Sequence, residues 1–243
     1  MTETDLLENA GENTHYVIER LVLEEKVHFD ILDIPCGEGA FTRRLMEKKV
    51  KVHAADCENS IKFAGAEFRV ADMNEKLPYD DDAFDGVVCI DGIEHIERQF
   101  DFIRECRRIV KPNGFLIIST PNITSLRSRW RWLTTGFHNK CKAPLNETEP
   151  MPLFHINMVS LPELRYRLAT NGFAITEIAT NRVKLISWVY FFLVPLAFLR
   201  TFVVFRKWAH TEAQREINRQ VLRQMFTIPA LFGETLIVKA KRT

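Results

Sequence analysis

The clearest chemical pattern in the sequence is a short segment in which a buried strand passes through glycines into a helix. It runs from Ile31 to Phe41, with Asp33 at the strand end and Gly37 and Gly39 in the turn. Free backbone N–H groups and the helix dipole converge at such a helix N-terminus and attract anionic groups. Glycines let a ligand approach the main chain closely. The segment therefore predicts a site for the anionic part of a small molecule.

A second carboxylate, Asp56, stands at the end of the next strand-like run. An acidic side chain at this point can accept hydrogen bonds from both hydroxyls of a ribose. The dinucleotide pattern Gly-x-Gly-x-x-Gly is incomplete, because Thr42 occupies the position of the third glycine. The two features together predict a nucleoside-type ligand, with a nicotinamide enzyme as the alternative.

The stretch from Phe29 to Asn122 resembles the class I S-adenosylmethionine-dependent methyltransferases, specifically the small-molecule group that includes the ubiquinone-biosynthesis enzymes. The resemblance implies that the glycine turn holds the methionine end of S-adenosylmethionine and that Asp56 binds its ribose. One departure is Pro35, where family members often have glycine, because proline has no N–H to offer. The cofactor-binding residues implied in this way are Asp33, Pro35, Gly37, Gly39, Asp56, Cys57, Asp72, Met73 and Ile90.

Two of these assignments rest on the resemblance and have a simpler alternative. Asp72 and Met73 match the pair that reads the adenine amino group and covers the ring, but they also fit a turn residue followed by a core side chain. Asp33 also fits a residue that only caps the following helix. The order and spacing of all the motifs together favour the cofactor interpretation.

Candidate reacting groups follow the fourth strand, in Asp91-Gly-Ile-Glu94-His95, a segment expected to open the next helix. The resemblance implies that Ile90 and Asp91 border the methyl-transfer pocket. His95 could remove the proton of a substrate hydroxyl, because the ordinary pKa of histidine lies near neutral pH. His155 is the second candidate base, since it resembles a pocket-facing histidine of the family.

A sharper hypothesis is that Asp91, Glu94, His95 and His155 hold a divalent cation, which would lower the pKa of a bound hydroxyl. The pattern resembles the metal site of small-RNA 2′-O-methyltransferases. The favoured alternative is that Glu94 and His95 only cap the helix and line the pocket. No metal is therefore predicted.

The elements that must position these residues alternate between strands and helices, which indicates βαβ units and a mostly parallel, doubly wound sheet. The resemblance implies seven strands. Several strand-like runs are almost entirely apolar, as expected for strands covered on both faces. Strands are predicted at Phe29–Ile34, Lys51–Ala55, Phe68–Ala71, Phe84–Ile90, Phe115–Thr120, Phe173–Ala179 and Thr235–Ala240, and helices at Thr14–Glu25, 38–49, 93–114 and Leu161–Thr170.

Composition excludes several classes of protein. The 33 Lys and Arg nearly cancel the 32 Asp and Glu, so the net charge of +1 gives no general attraction to nucleic acid. Five scattered cysteines without a Cys-x-x-Cys pair disfavour a disulfide framework and a structural zinc site. The acidic, polar N-terminal stretch is unlike a secretory signal. These features predict a cytoplasmic protein.

Residues 121–160 form a long, lid-like connection in which arginines alternate with tryptophans over Ser125–Trp132, followed by His138, Lys140 and Lys142. Arginines among aromatics can bind phosphate, stack on a ring or lie at a membrane interface. The alternative is a solvated basic face of a helix. RNA is the runner-up partner, although the patch is small.

An apolar segment, Leu185–Phe205, reaches the roughly 20 residues that span a bilayer and has cations on both sides. Pro195 interrupts it, and Arg200 would cost about 2.5 kcal/mol or more at the bilayer centre. If the strands before and after it share one sheet, a single crossing would leave the last strand on the wrong side of the membrane.

We therefore expect a helical insertion over residues 182–233 that leaves and returns on one side, with Thr211–Phe226 as the return path. Lying on a membrane surface, it would suit an acceptor carried on a lipid, such as a polyprenyl-linked glycan or a quinone precursor. Alternatives are a homodimer interface and a cover over the substrate pocket.

These inferences predict one domain over residues 1–243, with a core of residues 14–181 and 234–243. The expected activity is O-methylation of a small-molecule or lipid-linked acceptor in the cytoplasm, with peripheral attachment to the inner face of the membrane as an extension. Oxygen is favoured because the chain lacks the Asn-Pro-Pro-Tyr run of amino-methylating members. An RNA methyltransferase and a non-catalytic, cofactor-binding scaffold are the alternatives.

Overall fold

A single mixed β-sheet forms the centre of the computed structural model, which describes residues 6, 8, 10–25, 30–149, 151 and 153–243. Within these residues the strands are β1 (Asp30–Asp33), β2 (Lys51–Asp56), β3 (Glu67–Val70), β4 (Phe84–Cys89), β5 (Val110–Pro121), β6 (Phe173–Thr180) and β7 (Thr235–Arg242). Their order is β3-β2-β1-β4-β5-β7-β6, and β7 runs antiparallel to β5 and β6. The mostly parallel, seven-stranded sheet predicted from the sequence is confirmed; Phe29 lies outside the described residues.

Helices cover both faces of this sheet because its central strands are apolar on both sides. Ile31 and Leu32 are neighbours in β1, yet they belong to different buried clusters. Phe102 and Ile103 pack on one face, and Ile18 packs on the other. The helices in the described residues are α1 (Thr14–Leu23), α2 (Ala40–Glu47), α3 (Gln99–Ile109), α4 (Leu126–Thr135), α5 (Leu161–Thr170), α6 (Val194–Lys207), α7 (Glu212–Met225) and α8 (Ile228–Phe232), with 3-10 helices at Ile93–His95 and Leu185–Leu193.

The long helix predicted over residues 93–114 is wrong. The chain forms a 3-10 turn at Ile93–His95, becomes extended at Ile96, and begins α3 only at Gln99. The side-chain amide of Gln99 donates to the carbonyl of Ile93 at 2.7 Å, which stabilises the break. β5 then begins at Val110, inside the range predicted as helix, because Val110 pairs with Phe84 of β4. The reacting segment is therefore a turn between two elements.

The predicted apolar insertion lies between β6 and β7. It consists of the 3-10 helix, α6, α7 and α8, and Pro195 stands in the first turn of α6. Residues 185–207 are long and apolar enough to cross a membrane, with a mean hydropathy of 1.9, and none of the window tested is buried. Because β6 and β7 are paired neighbours, the insertion leaves and returns at the same end of the sheet. The return path that the sequence predicted at Thr211–Phe226 is helix α7.

One side of this insertion packs on a buried cluster that includes Leu126 of α4, and the helices of the insertion also contact one another. Trp188 stacks on Phe232 of α8 with ring centroids 4.6 Å apart, and Phe198 meets Phe226 edge-on at 5.1 Å. The side chain of Asn218 in α7 donates to the carbonyl of Phe205 at 2.8 Å, which ties the two long helices together. The opposite side leaves large apolar side chains in solvent, among them Leu185, Val189, Phe192, Leu196 and Leu199.

Candidate functional site

A cavity of about 460 Å³ opens at the carboxyl ends of β1, β2 and β4. In open α/β sheets this edge is where ligands bind, beside the point at which the strand order reverses. Ten of the residues predicted from the sequence line it: Asp33, Pro35, Gly37, Asp56, Cys57, Asp72, Met73, Ile90, Asp91 and His95.

Two carboxylates hold the glycine turn at one end of the cavity. Asp33 is 1% exposed and accepts a hydrogen bond from the Thr42 hydroxyl at 2.6 Å. Its other oxygen has no hydrogen-bond partner in the described part of the chain, and burial raises the pKa of Asp33 to about 7. Asp56 accepts from the backbone N–H of Gly37 at 2.9 Å and of Cys57 at 2.8 Å. The turn is thus tied to the end of β2 before any ligand arrives.

Gly39, predicted to contact the cofactor, does not line the cavity. It is the N-cap residue of α2 with φ 87°, a left-handed conformation that favours glycine. A Cβ at this position would stand 2.5 Å from a ring carbon of Phe63. Gly39 therefore shapes the turn, while Gly37 faces the cavity.

Pro35, the departure from the family pattern, also lines the cavity and packs against the loop after β4. A Cβ on Gly92 would collide with the Pro35 ring. The two residues therefore depend on each other, because the proline leaves space only for glycine. The sequence did not reveal this pairing, since the two positions lie on loops of different strands.

The opposite end of the cavity has the residues expected around a base ring. Asp72 is exposed, and one of its carboxylate oxygens accepts from the N–H of Asn74 at 2.8 Å. Met73 is 7% exposed and packs in the core. The simpler interpretation, a turn residue followed by a core side chain, is thus correct for their local structure. Both nevertheless line the cavity, so a cofactor role is compatible with it.

Among the candidate reacting groups, Asp91 and His95 face the cavity. Asp91 accepts from the Ser119 hydroxyl at 2.6 Å, and burial raises the pKa of this carboxyl. Nδ1 of His95 lies 3.0 Å from the carbonyl oxygen of Phe154. A carbonyl can only accept, so Nδ1 carries the proton and Nε2 of the neutral ring is left as an acceptor. His95 therefore has the tautomer that a general base needs.

Glu94 and His155 do not line the cavity but stand directly behind His95. The rings of His95 and His155 meet edge-on with centroids 4.8 Å apart. Burial, the neighbouring His95 and Lys140 lower the pKa of His155. Glu94, His95 and His155 each have a potential ligand atom, and these three atoms lie within 4.8 Å of one another. Asp91 is outside this group, so the hypothetical set of four ligands is reduced to three.

Glu94 is an unusual member of this cluster, which we call the Glu-His-His cluster. It is 0% exposed, and neither carboxylate oxygen has a hydrogen-bond partner among the described residues. Burial, followed by the nearby Asp91, raises the pKa of Glu94 to about 8. The capping part of the alternative is wrong, because neither the 3-10 turn nor α3 has a side-chain cap, whereas His95 lines the cavity as that alternative expected.

Sequence-distant contacts bring His155 to this cluster. The N–H of Asn157 donates to the Glu94 carbonyl at 3.0 Å, and its side chain donates to the carbonyl of Ile96 at 3.2 Å. Gln99 adds a hydrogen bond to the Asn157 carbonyl at 2.7 Å. Only the folded chain shows that these residues meet; Pro152, just before this segment, lies outside the described residues.

His15 in α1 is the functional candidate that sequence reasoning missed. It lines the cavity, is 6% exposed, and its ring centroid lies 5.3 Å from that of Phe41. Burial lowers its pKa. A signal was present in the sequence, because His15 shares a helix face with Ile18 and Val22, three and seven residues further on.

The same molecule resembles known methyltransferases in sequence. Residues 32–118 match the family model described as "Methyltransferase domain". The chain is 26% identical over 175 residues to a "Probable S-adenosylmethionine-dependent methyltransferase" of Mycolicibacterium smegmatis, covering 70% of this chain and 62% of the relative. It is 32% identical over 121 residues to the ubiquinone biosynthesis O-methyltransferase of Rickettsia akari, covering 45% and 48%. The chain thus spans less than two thirds of the length of each of these relatives.

Solved structures show the same fold. One is the 1,6-didemethyltoxoflavin-N1-methyltransferase of Burkholderia thailandensis, with bound 1,6-didemethyltoxoflavin and S-adenosylhomocysteine. It has a TM-score of 0.54 and 13% sequence identity, and the alignment covers 94% of this chain and 76% of that one. The likeness extends over the sheet and its helices, which confirms the fold predicted from the sequence.

Proposed function

We propose that this chain, whose residues 32–118 match the methyltransferase family model, is a class I S-adenosylmethionine-dependent methyltransferase and that it methylates an oxygen atom of a small or lipid-linked acceptor. The observation that carries the proposal is the cavity at the carboxyl ends of the strands. The carboxylates of Asp33 and Asp56 lie around the glycine turn on one side of this cavity. His95 also lines the cavity, and its Nε2 is free to accept a proton.

The chain's own residues account for binding and orientation. The amino-acid end of the cofactor would lie beside Asp33, where Gly37 lets it approach the main chain closely, and Asp56 offers carboxylate oxygens to the ribose hydroxyls. S-adenosylmethionine, when bound, supplies a methyl group on a sulfonium and leaves as S-adenosylhomocysteine. Asp72 and Met73 would hold the base, which fixes the direction in which the methyl group faces.

His95 would accept the proton of the acceptor hydroxyl as the new oxygen–carbon bond forms. The Phe154 carbonyl holds the ring through Nδ1, so Nε2 is the atom that receives the proton. His155 is placed to act through His95, because it contacts that ring and does not line the cavity. We therefore assign His95 as the base and His155 as a positioning residue.

A second candidate role for the Glu-His-His cluster is binding of a divalent cation. The specific observation is the Glu94 carboxyl, which is fully buried without a hydrogen-bond partner in the described chain. A cation on His95 Nε2 would replace the base and lower the pKa of a coordinated acceptor hydroxyl instead. Removal of divalent metal with a chelator, followed by readdition of magnesium, manganese or zinc, separates the two roles: unchanged methyl transfer would exclude the metal.

We also propose that this protein is cytoplasmic and attaches to a membrane surface through the insertion. Attachment is supported by the exposed apolar side of the insertion and by exposed Trp130 and Trp132 on α4, near its base. No residue of the apolar segment 185–205 lines the 460 Å³ cavity, which counts against its role as a pocket cover. A homodimer interface is the remaining alternative, and sedimentation in the absence of lipid would reveal it.

Calorimetric titration of the purified protein with S-adenosylmethionine and S-adenosylhomocysteine tests the premise directly. We expect saturable binding of both, and loss of binding in the Asp56→Ala variant. Host extracts incubated with an isotopically labelled methyl donor and then analysed by mass spectrometry would identify the acceptor. Binding of the cofactor without any labelled product would favour the non-catalytic scaffold, whereas labelled RNA would favour the RNA methyltransferase.

A further inference from the structure

We propose that a second cavity, which we call the cation pocket, binds a phosphate or pyrophosphate group of a lipid-linked acceptor. The inference rests on the proposed function and names the class of its acceptor. The cation pocket has a volume of about 210 Å³ and lies between α4, residues 139–142, the start of the apolar segment and the loop before β7. Its charged lining residues are Arg127, Lys140, Lys142, Lys184 and Glu234.

The charge balance of the cation pocket is positive. Four cationic side chains face one carboxylate, and that carboxylate is already engaged. Glu234 binds Lys184 at 2.5 Å and Arg182, just outside the lining, at 2.6 Å, and lies 3.9 Å from Lys140. In the described part of the chain, no carboxylate pairs with Arg127 or Lys142. A bound anion would supply the charge that these two lack.

The neutral lining is built from groups that the fold holds in place. The side-chain amide of Asn122 donates to the carbonyls of Pro229, Ala230 and Gly233 at 2.9, 3.1 and 3.0 Å. These bonds fix the loop that carries Glu234. Ser187 is 6% exposed, and its N–H donates to the Lys184 carbonyl at 2.8 Å. The cation pocket is therefore a preformed concavity with few conformational changes required for binding.

The position of the cation pocket decides which phosphate compound fits it. Lys140 is close enough to the reacting groups for its charge to act on both His155 and Asp91. On the other side, Lys184 and Ser187 mark the beginning of the exposed apolar segment. The cation pocket thus lies between the methyl-transfer region and the apolar surface. A lipid phosphate has its groups in the same order, with the anion between the head that reacts and the hydrocarbon chain.

Binding of three simple probes tests this assignment. Decyl phosphate carries both features, decanol only the chain, and inorganic pyrophosphate only the anion. The test variant is Arg127→Ala/Lys142→Ala, since neither side chain supports another residue through an ion pair. The matched control is Arg104→Ala/Lys76→Ala, which removes two exposed cations far from the cation pocket. Affinity for S-adenosylhomocysteine is measured in parallel for all proteins.

We expect the protein to bind decyl phosphate more tightly than either partial probe, and the test variant to lose at least about tenfold in that affinity, because charge-assisted contacts are removed. The control should lose none. Equal affinity in the test variant and the unmodified protein would overturn the proposal, as would equal binding of inorganic pyrophosphate and decyl phosphate. Tighter, Arg127-dependent binding of a single-stranded RNA oligonucleotide would also overturn it, in favour of nucleic acid.

The parallel measurement separates two kinds of failure. If S-adenosylhomocysteine fails to bind while decyl phosphate binds as expected, the proposed methyl transfer is wrong but the anion site stands. If S-adenosylhomocysteine binds to every variant while decyl phosphate shows no preference for the cation pocket, only the lipid phosphate assignment is lost.

Discussion

The cavity at the strand ends and the apolar insertion differ in how far the protein itself already contacts their side chains. The cavity is enclosed by the ends of buried strands, and several of its carboxylates already accept hydrogen bonds from the protein, as Asp56 does from Gly37. The insertion, residues 182–233, exposes large apolar side chains, Phe192 and Leu196 among them. Nearly all of the cavity lining falls within the family match over residues 32–118, whereas the insertion lies outside it.

This difference indicates that the cavity and the insertion have separate roles. The region that matches the family model contains the cavity that we propose for the cofactor. The region outside that match presents surface that costs free energy in water and is stabilised only when something covers it. We therefore expect substitutions in the first region to abolish cofactor binding or chemistry, and substitutions in the second to affect only the acceptor or membrane.

Replacement of the proposed base should have the largest effect. His95→Gln should lower the rate of label transfer from the methyl donor about 10²- to 10⁴-fold, because a positioned base contributes that much. Affinity for S-adenosylhomocysteine should stay within a few-fold, measured by calorimetry. His210→Gln, an exposed histidine in the insertion, is the control. An unchanged rate in His95→Gln would remove the assigned role.

Loss of the Asp56 carboxylate, which we propose binds the ribose, should weaken cofactor binding and leave the chemical step unaffected. Asp56→Ala should weaken S-adenosylhomocysteine roughly a hundredfold or more, since two hydrogen bonds to a charged group are lost at about 1.5–3 kcal/mol each. Asp80→Ala removes an exposed carboxylate outside the cavity and should bind normally. Equal affinities of the two variants would contradict the proposed orientation of the cofactor.

Substitutions on the exposed apolar side of the insertion should weaken membrane binding and leave cofactor binding unaffected. Phe192→Ser/Leu196→Ser replaces side chains that are 66% and 67% exposed, so the fold should tolerate it. Vesicle binding should fall about a hundredfold, because each buried apolar side chain contributes about 1.5 kcal/mol or more. Cofactor affinity should not change. The matched control is Val70→Ser/Tyr166→Ser, with exposures of 60% and 63%. Flotation that survives the first variant would exclude this surface from membrane contact.

The last prediction concerns stability at the Glu-His-His cluster. The pKa of Glu94 rises from 4.5 to about 8 on folding, because of burial and then of Asp91. The folded state thus keeps a proton that the unfolded state releases, so stability falls as pH rises from 4.5 towards 8, by at most about 1.4 kcal/mol per pH unit. Denaturant unfolding of Glu94→Gln should lack this component. A bound divalent cation would reverse the trend in the unmodified protein only.

Local sequence patterns were sufficient to predict a feature when all the residues that define it lie in one segment of the chain. The strand, glycine turn and helix of Ile31–Phe41 place Asp33 and Gly37 at the cavity, because a buried apolar run and a left-handed turn are both read from neighbouring residues. The apolar insertion was equally visible from its composition. The helix over 93–114 was wrong because the break after His95 depends on hydrogen bonds between Gln99, Ile93 and Asn157, which no local pattern contains.

The sequence alone determined the class of fold and identified ten of the residues that line the cavity, since hydrophobic periodicity and glycine positions act over a few residues. Only the tertiary structure decided that Gly39 faces away from the cavity, that His15 faces into it, and that Glu94 is buried without a partner beside His155. It also brought Arg127 and Lys184, which are 57 positions apart in the sequence, into the lining of the same pocket. Contacts of this kind depend on how the strands are ordered and how the loops at one sheet edge converge, which spacing along the chain does not specify.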